Sequence, residues 1–253
     1  MNRIQNKLSE NKKILSIYFS AGFPNLNDTK SLIESLAENK VDMIEIGLPF
    51  SDPLADGPTI QASSTQALKN GMTTEILFEQ IKDIRETVEI PLIIMGYFNP
   101  ILQFGADNFL KKCQETGIDG LIIPDLPLEI YISEYKELFE SYGIAMVFLI
   151  TPQTSEERIR LIDANSNAFI YMVSSSSVTG SRDSFDDNQL EYFERIASMN
   201  LKNPQIIGFG ISNKTTFEQA TKHQKGVIIG SSFIQFIASN PISGISTFIQ
   251  NIL

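Results

Sequence analysis

The chain repeats one pattern along its whole length, and that repetition limits the folds open to it. A short apolar, β-branched run is followed by a polar turn and then by a segment with helical spacing. The apolar runs are ILSIYFSAG (14–22), MIEIGLPF (43–50), PLIIMGYFNP (91–100), GLIIPDL (120–126), AMVFLIT (145–151), AFIYMVSS (168–175), PQIIGFGIS (204–212) and GVIIGSS (226–232), eight in all. Most lack the apolar–polar alternation of a half-exposed strand, which suits strands buried on both faces. Between them TKSLIESLAENK, TTEILFEQIKDIRET, ISEYKELFESYG and SEERIRLIDANS place apolar residues three and four apart, as amphipathic helices do. Asn27, Asp28, Thr73 and Ser155 are candidate helix caps. Eight alternations in 253 residues predict a parallel closed sheet, the (β/α)8 or TIM barrel of the α/β class. An open doubly wound sheet is the competing arrangement. It fits less well, because no GxGxxG follows the first strand. No linker or composition break interrupts the pattern, so residues 1–253 are read as a single domain.

In a barrel of this kind the chemistry gathers on the connections that follow the strand C-termini. Two connections are longer than the rest, Ser51 to about Met72 and Ser174 to about Asn188. The first follows the run that holds Glu45. If Ile44, Ile46 and Leu48 face the outer helices, alternation turns Met43, Glu45 and Gly47 towards the barrel interior. An ionised carboxylate there is costly unless something pairs with it or uses it, and burial raises its pKa towards the range useful for proton transfer. A barrel-filling ion pair is the bland alternative, but no basic residue falls on the inward positions of the other runs. Gly47 leaves room beside the carboxyl for a ligand. Beyond the strand, FSDPLADGPTIQ carries Asp52 and Asp56 in a loop stiffened by Pro53 and Pro58, with Gly57 free to take an unusual backbone angle. Either aspartate could cap a turn or present a second acid at the rim, and the residues alone leave that open.

The last quarter of the chain holds GFGIS (208–212) and IIGSS (228–232), the second running straight into the helical pattern SFIQFIASN. Glycines permit close backbone approach, and a helix N-terminus offers free N–H groups with a partial positive charge. Phosphate sites of barrel enzymes often lie after strands 7 and 8. Gly210, Gly230 and Ser231 are therefore candidates to bind a phosphate-bearing ligand. VSSSSVTGSRDSF (173–185) reads as a solvated loop, either a plain connector or one that excludes water during chemistry. Tyr171, at the end of the sixth run, could hydrogen-bond a substrate or fill the core.

Composition excludes several other roles. A net charge of −10 without a Lys/Arg cluster argues against nucleic acid as a partner. No run approaches the length of a membrane span, and MNRIQNKLSENKK lacks the apolar segment of a secretory signal, so the cytoplasm is the expected location. The single cysteine, Cys113, reads as a buried apolar residue on a helix and fits a reducing compartment. No cluster has metal-ligand spacing, and the one histidine, His223, reads as a surface residue on a helix.

Taken together, EIGLPFSDPLADGPTIQ (45–61), MGYFNP (95–100), IIPDLP (122–127), SVTG (177–180), GFGIS and IIGSS closely resemble the signatures of the tryptophan synthase alpha chain family, in that family's order and over nearly the whole chain. The opening signature is the specific one; the glycine motifs are shared by many phosphate-binding barrels. The resemblance implies a lyase that cleaves indole-3-glycerol phosphate to indole and glyceraldehyde 3-phosphate in tryptophan biosynthesis, with no cofactor. It implies Glu45 as general acid–base, Asp56 as the acid that meets the indole N–H, and Tyr171 as an active-site tyrosine. Thr179 would meet the aspartate on loop closure, and Gly180, Gly210, Gly230 and Ser231 would bind phosphate. Phe19 and Tyr97 would help line the indole pocket. It also implies a partner, a beta chain carrying pyridoxal phosphate, in an assembly of two alpha and two beta chains. One departure stands out: the family commonly has GVTG where this chain has Ser177 before VTG, which bears on loop closure.

Overall fold

A computed structural model describes residues 2–174, 185–211 and 213–253. The eight apolar runs become β1 (Ile14–Ser20), β2 (Met43–Gly47), β3 (Leu92–Met95), β4 (Gly120–Ile122), β5 (Ala145–Ile150), β6 (Ile170–Val173), β7 (Gln205–Gly208) and β8 (Gly226–Ile229). Neighbouring strands pair in parallel in chain order, and β8 returns to β1, so the sheet closes as the alternation predicts and leaves no open edge. Its strands are buried almost throughout, which is why their sequences read as apolar runs without polar alternation.

Helices cover the outside. The helix Thr29–Glu38 buries Leu32, Ile33 and Leu36, and the helix Pro58–Lys69 fills most of the long connection after β2. Thr73 and Ser155 cap as expected, their hydroxyls accepting from the N–H of Ile76 at 3.2 Å and Arg158 at 3.3 Å. Asn27 and Asp28 do not. The Asp28 carboxylate accepts from the backbone and side chain of Asn25 instead, and Asn27 accepts from Gln80. Cys113 is buried on a helix, as expected. His223 lies just beyond the helix Lys214–Thr221 rather than on it, exposed, with Nε2 3.8 Å from Glu194.

The polar N-terminal residues, read in the sequence only for the lack of a secretory signal, have a structural task. They form α1 (Arg3–Ser9), started by a capping box between Asn2 and Gln5, with Ile4 and Leu8 buried. Asn2 donates to the Asp119 carbonyl at 2.6 Å, and Asp119 pairs with Arg3 at 3.1 Å and Arg85 at 2.7 Å. Both Asp119 and Gly120 sit where β4 begins, so α1 stoppers the N-terminal end of the barrel and leaves the opposite end for a ligand.

The seam that closes the barrel is tight. A Cβ on Gly226 would stand 2.4 Å from the Ile14 carbonyl oxygen and 2.6 Å from the Ile14 Cβ. The obstruction is backbone of the paired strand, so it cannot swing aside. Gly226→Ala is expected to destabilise the protein by roughly 3 kcal/mol, seen as a fall of about 10 °C in Tm. Thermal unfolding of the variant at an unchanged Tm would show that β1 and β8 separate freely.

Candidate active site

The register decides which side chains reach the barrel interior. Ser16, Tyr18 and Ser20 of β1 lie beside Met43, Glu45 and Gly47 of β2, and Glu45 and Gly47 lie beside Ile93 and Met95 of β3. Ser16 Oγ lies 3.0 Å from Glu45 Oε1, which fixes this set as one face. Alternation then puts Ile17 and Phe19 on the other face, with Ile44 and Ile46. Phe19, expected to line the ligand pocket, is thereby corrected: it is fully buried on the helix-facing side, and Tyr18 stands in the pocket wall instead.

Two tyrosines lean across the barrel in the same way. The Tyr18 ring occupies the space above Gly47, where a Cβ would come within 2.1 Å of its hydroxyl; the Tyr171 ring occupies the space above Gly208, where a Cβ would come within 2.0 Å. In each case the glycine lies two residues beyond the tyrosine's partner on the next strand. The glycine beside Glu45 therefore makes room for a tyrosine ring from β1, not for ligand alone.

Between these rings and the C-terminal rim lies a cavity of about 580 Å³ including its open mouth, walled by Tyr18, Asp56, Tyr171, Gly210, Gly230 and Ser231 among others. Glu45 is not in its wall. The carboxyl is fully buried, while Tyr18, its neighbour across β1 and β2, lines the cavity. Oε1 has Ser16 as its partner, whereas Oε2 is buried with none among the described residues. Among the described residues no cation pairs with it, so desolvation pushes its pKa up to about 8, only partly opposed by the Ser16 hydrogen bond.

The loop after β2 separates the roles of its two aspartates. Asp52 is exposed and accepts from the Ser51 hydroxyl. Asp56 turns into the cavity, and Tyr97 donates to its Oδ2 at 2.9 Å while accepting from the Ala55 N–H at 2.8 Å. Burial raises the Asp56 pKa, and the Tyr97 hydrogen bond works against that rise. Tyr97 itself walls a smaller adjoining void rather than the main cavity, with its ring 5.3 Å from that of Phe50. Ser64, on the helix Pro58–Lys69, ties the loop down, exchanging hydrogen bonds with both the N–H and the carbonyl of Phe50. Gly57 does not need an unusual angle. Its φ of −76° is ordinary extended backbone, and it precedes Pro58 at the first position of that helix.

Across the mouth, the chain after β7 takes a left-handed turn at two consecutive residues, Phe209 with φ +71° and Gly210 with φ +78°. Phe209 bears the conformational cost that glycine avoids. Ser174 holds the turn, its hydroxyl donating to the Phe209 carbonyl at 2.8 Å. Ser174 opens the serine run that reads in sequence as a solvated loop, yet it is only 1% exposed. Next to it, helix Ser231–Ser239 begins at Gly230 with no side-chain cap, and Gly230, Ser231 and Ser232 line the cavity, where a helix start favours an anion. Thr179, Gly180 and Ser177 lie outside the described residues.

The cavity thus offers a carboxyl group at one side and an uncapped helix N-terminus at the other, with a buried carboxyl of raised pKa outside its wall. Among the described residues no group of His, Cys, Asp and Glu could hold a metal ion, and no helix is long and apolar enough to cross a membrane. Residues 4–251 match the family model described as tryptophan synthase alpha chain. The tryptophan synthase alpha chain of Flavobacterium psychrophilum is 71% identical over 252 residues, covering 100% of both chains. That of Christiangramia forsetii is 63% identical, covering 100% of this chain and 98% of its own. Among solved structures, the alpha chain from Legionella pneumophila superposes with a TM-score of 0.89 at 30% identity, covering 100% of this chain and 96% of that one. A tryptophan synthase complex from Pyrococcus furiosus contains a chain with a TM-score of 0.83 at 31% identity, covering 95% and 98%.

Proposed function

The chain belongs to the tryptophan synthase alpha chain family, and from that premise we propose how its residues divide the work of the family reaction. That reaction is a carbon–carbon lyase step, the retro-aldol cleavage of indole-3-glycerol phosphate to indole and glyceraldehyde 3-phosphate in tryptophan biosynthesis. The chain works with a beta chain. An assembly of two alpha and two beta chains, in the cytoplasm, is the finer reading.

The proposed division follows charge and position. The substrate phosphate sits at the uncapped start of helix Ser231–Ser239, cradled by Gly210, Gly230 and Ser231. The indole ring lies towards Tyr18, Tyr171 and Asp56, with Tyr97 setting the Asp56 carboxylate. Glu45 gives its proton to indole C3. The substrate hydroxyl on the adjoining carbon then returns a proton to Glu45 as it becomes the aldehyde. The bond between that carbon and C3 breaks, its electron pair restores the ring, and the enzyme ends as it began. Positive charge on the ring nitrogen is greatest once C3 is protonated, and Asp56 stabilises it there. Glu45 is buried outside the cavity wall, so transfer requires a local movement that brings its carboxyl and the substrate together.

The observation that supports this most directly is the buried carboxyl beneath the cavity with its pKa raised to about 8. A carboxyl so placed starts the cycle protonated at neutral pH, as an acid must. With purified protein, kcat/KM for indole release is expected to be level towards neutrality and to fall as pH rises through about 8, where the proton is lost. A profile that instead rises through that pH would assign the first step to the ionised form and reject the scheme.

A further inference from the structure

Among the described residues Glu45 meets a single hydrogen-bonding partner, and that partner is not a charged one. Its inward neighbours on β2 and β3 are Met43, Gly47, Ile93 and Met95, none with a polar side-chain group that could hold a carboxyl in place. The titratable groups whose electrostatics it touches are Tyr18 from β1 and Tyr171 from β6, and neither is hydrogen-bonded to it among the described residues. Ser16 is the exception. It is fully buried in an apolar run, where a hydroxyl without a partner would be unfavourable, and its Oγ lies 3.0 Å from Oε1. Oε2 has no partner among the described residues.

We propose that Ser16 is the positioning residue of the acid–base carboxyl: its hydroxyl holds Oε1 of Glu45 in both protonation states and leaves Oε2 as the oxygen that exchanges the proton. The inference rests on the reading of Glu45 as acid–base and adds to it a residue outside the ligand cavity. A hydroxyl suits the task because it rotates. It donates to the carboxylate, and it can donate to or accept from the carboxylic acid, so one contact survives each proton transfer. A lysine or arginine at the same place would lock the carboxyl in its ionised form, which cannot start the cycle.

The test compares the full-length parent with S16A, and S16T with S16V, the second pair differing in the hydroxyl at nearly constant volume. Removing the hydroxyl is expected to lower kcat by about tenfold with KM within about twofold, as loss of a contact that orients the reacting group should. It also removes a donor to the ionised form, so the alkaline midpoint of the pH profile is expected to move up by about one unit. The infrared C=O band of the protonated Glu45 carboxyl, assigned by difference against E45Q, is expected to shift in S16A and in S16V relative to S16T. Hydroxyl-free variants with parental kcat, midpoint and band would overturn the proposal, and so would a lowered kcat with an unmoved band, which marks lost packing alone. A parent that releases no indole would reject the functional reading. The infrared comparison needs no turnover, so it judges Ser16 separately; if S16A fails to fold, the isosteric pair decides.

Discussion

Glu45→Gln is expected to abolish indole release and at the same time to stabilise the folded protein. The first effect follows from the lost proton. Gln matches the carboxyl in shape but cannot deliver a proton to C3 or take one from the substrate hydroxyl, and removal of a group that does both lowers kcat by roughly 10² to 10⁴. The second follows from the sign of the pKa shift. The folded-state pKa of Glu45, about 8, lies above its ordinary 4.5, so the folded protein holds this proton more tightly than the unfolded chain does. The stability this provides is fully present below the ordinary pKa and is lost as pH rises through the folded one, at no more than about 1.4 kcal/mol per pH unit. Gln has no such proton to lose. The stability difference between variant and parent should therefore be small near pH 5 and grow to on the order of 2 kcal/mol at pH 7, after allowance for an amide N–H left without a partner beside the unpaired Oε2 position. Denaturant unfolding of both proteins at the two pH values measures it. Equal stability at both would mean that the carboxyl is solvated and not held in the dry interior that the scheme needs.

The fold is legible in the sequence because its signal is redundant. Eight buried parallel strands each leave a short apolar run, and no single misreading could hide the closure. The parts that escape depend on one residue of register or on distant partners. Phe19 and Tyr18 are neighbours of similar character in IYFS, and a one-position slip exchanges the helix-facing side for the cavity. The helix α1 is too short to announce itself by periodicity; Asp119, more than a hundred residues away in sequence, holds it. Asp52 and Asp56 look alike in the loop, and only Tyr97, reaching across from the end of β3, tells them apart. Glu45 is readable as an inward carboxyl from alternation alone. That the Tyr18 ring fills the space over Gly47 is not, because the small size of Gly47 is equally good evidence for a ligand or for a neighbouring ring.

The exchange of Asp56 for Asn offers the cleanest separation of charge from shape in this site. Asn keeps an oxygen for the Tyr97 hydroxyl to donate to, and the second bond of that hydroxyl, to the Ala55 N–H, does not involve the side chain at position 56. The loop should therefore hold its course while the negative charge disappears. Asp56 lies in the wall of the cavity, partly desolvated, where a charge acts more strongly than in water. If it stabilises the ring nitrogen once C3 is protonated, its removal affects the transition state far more than the bound substrate. Asp56→Asn is then expected to lower kcat by about 10² to 10³ with little change in KM. Tyr97→Phe is the matching control, since it removes the hydrogen bond and keeps the charge, and it should cost about tenfold or less. Burial raises the Asp56 pKa, so the parent should lose activity on the acid side as this carboxylate takes up a proton, and that acid limb should be absent from the residual activity of Asp56→Asn. Single-turnover measurements across the acid range decide the matter. A variant with kcat within about twofold of the parent, or one that keeps the same acid limb, would remove Asp56 from the chemistry and leave it only a wall of the pocket.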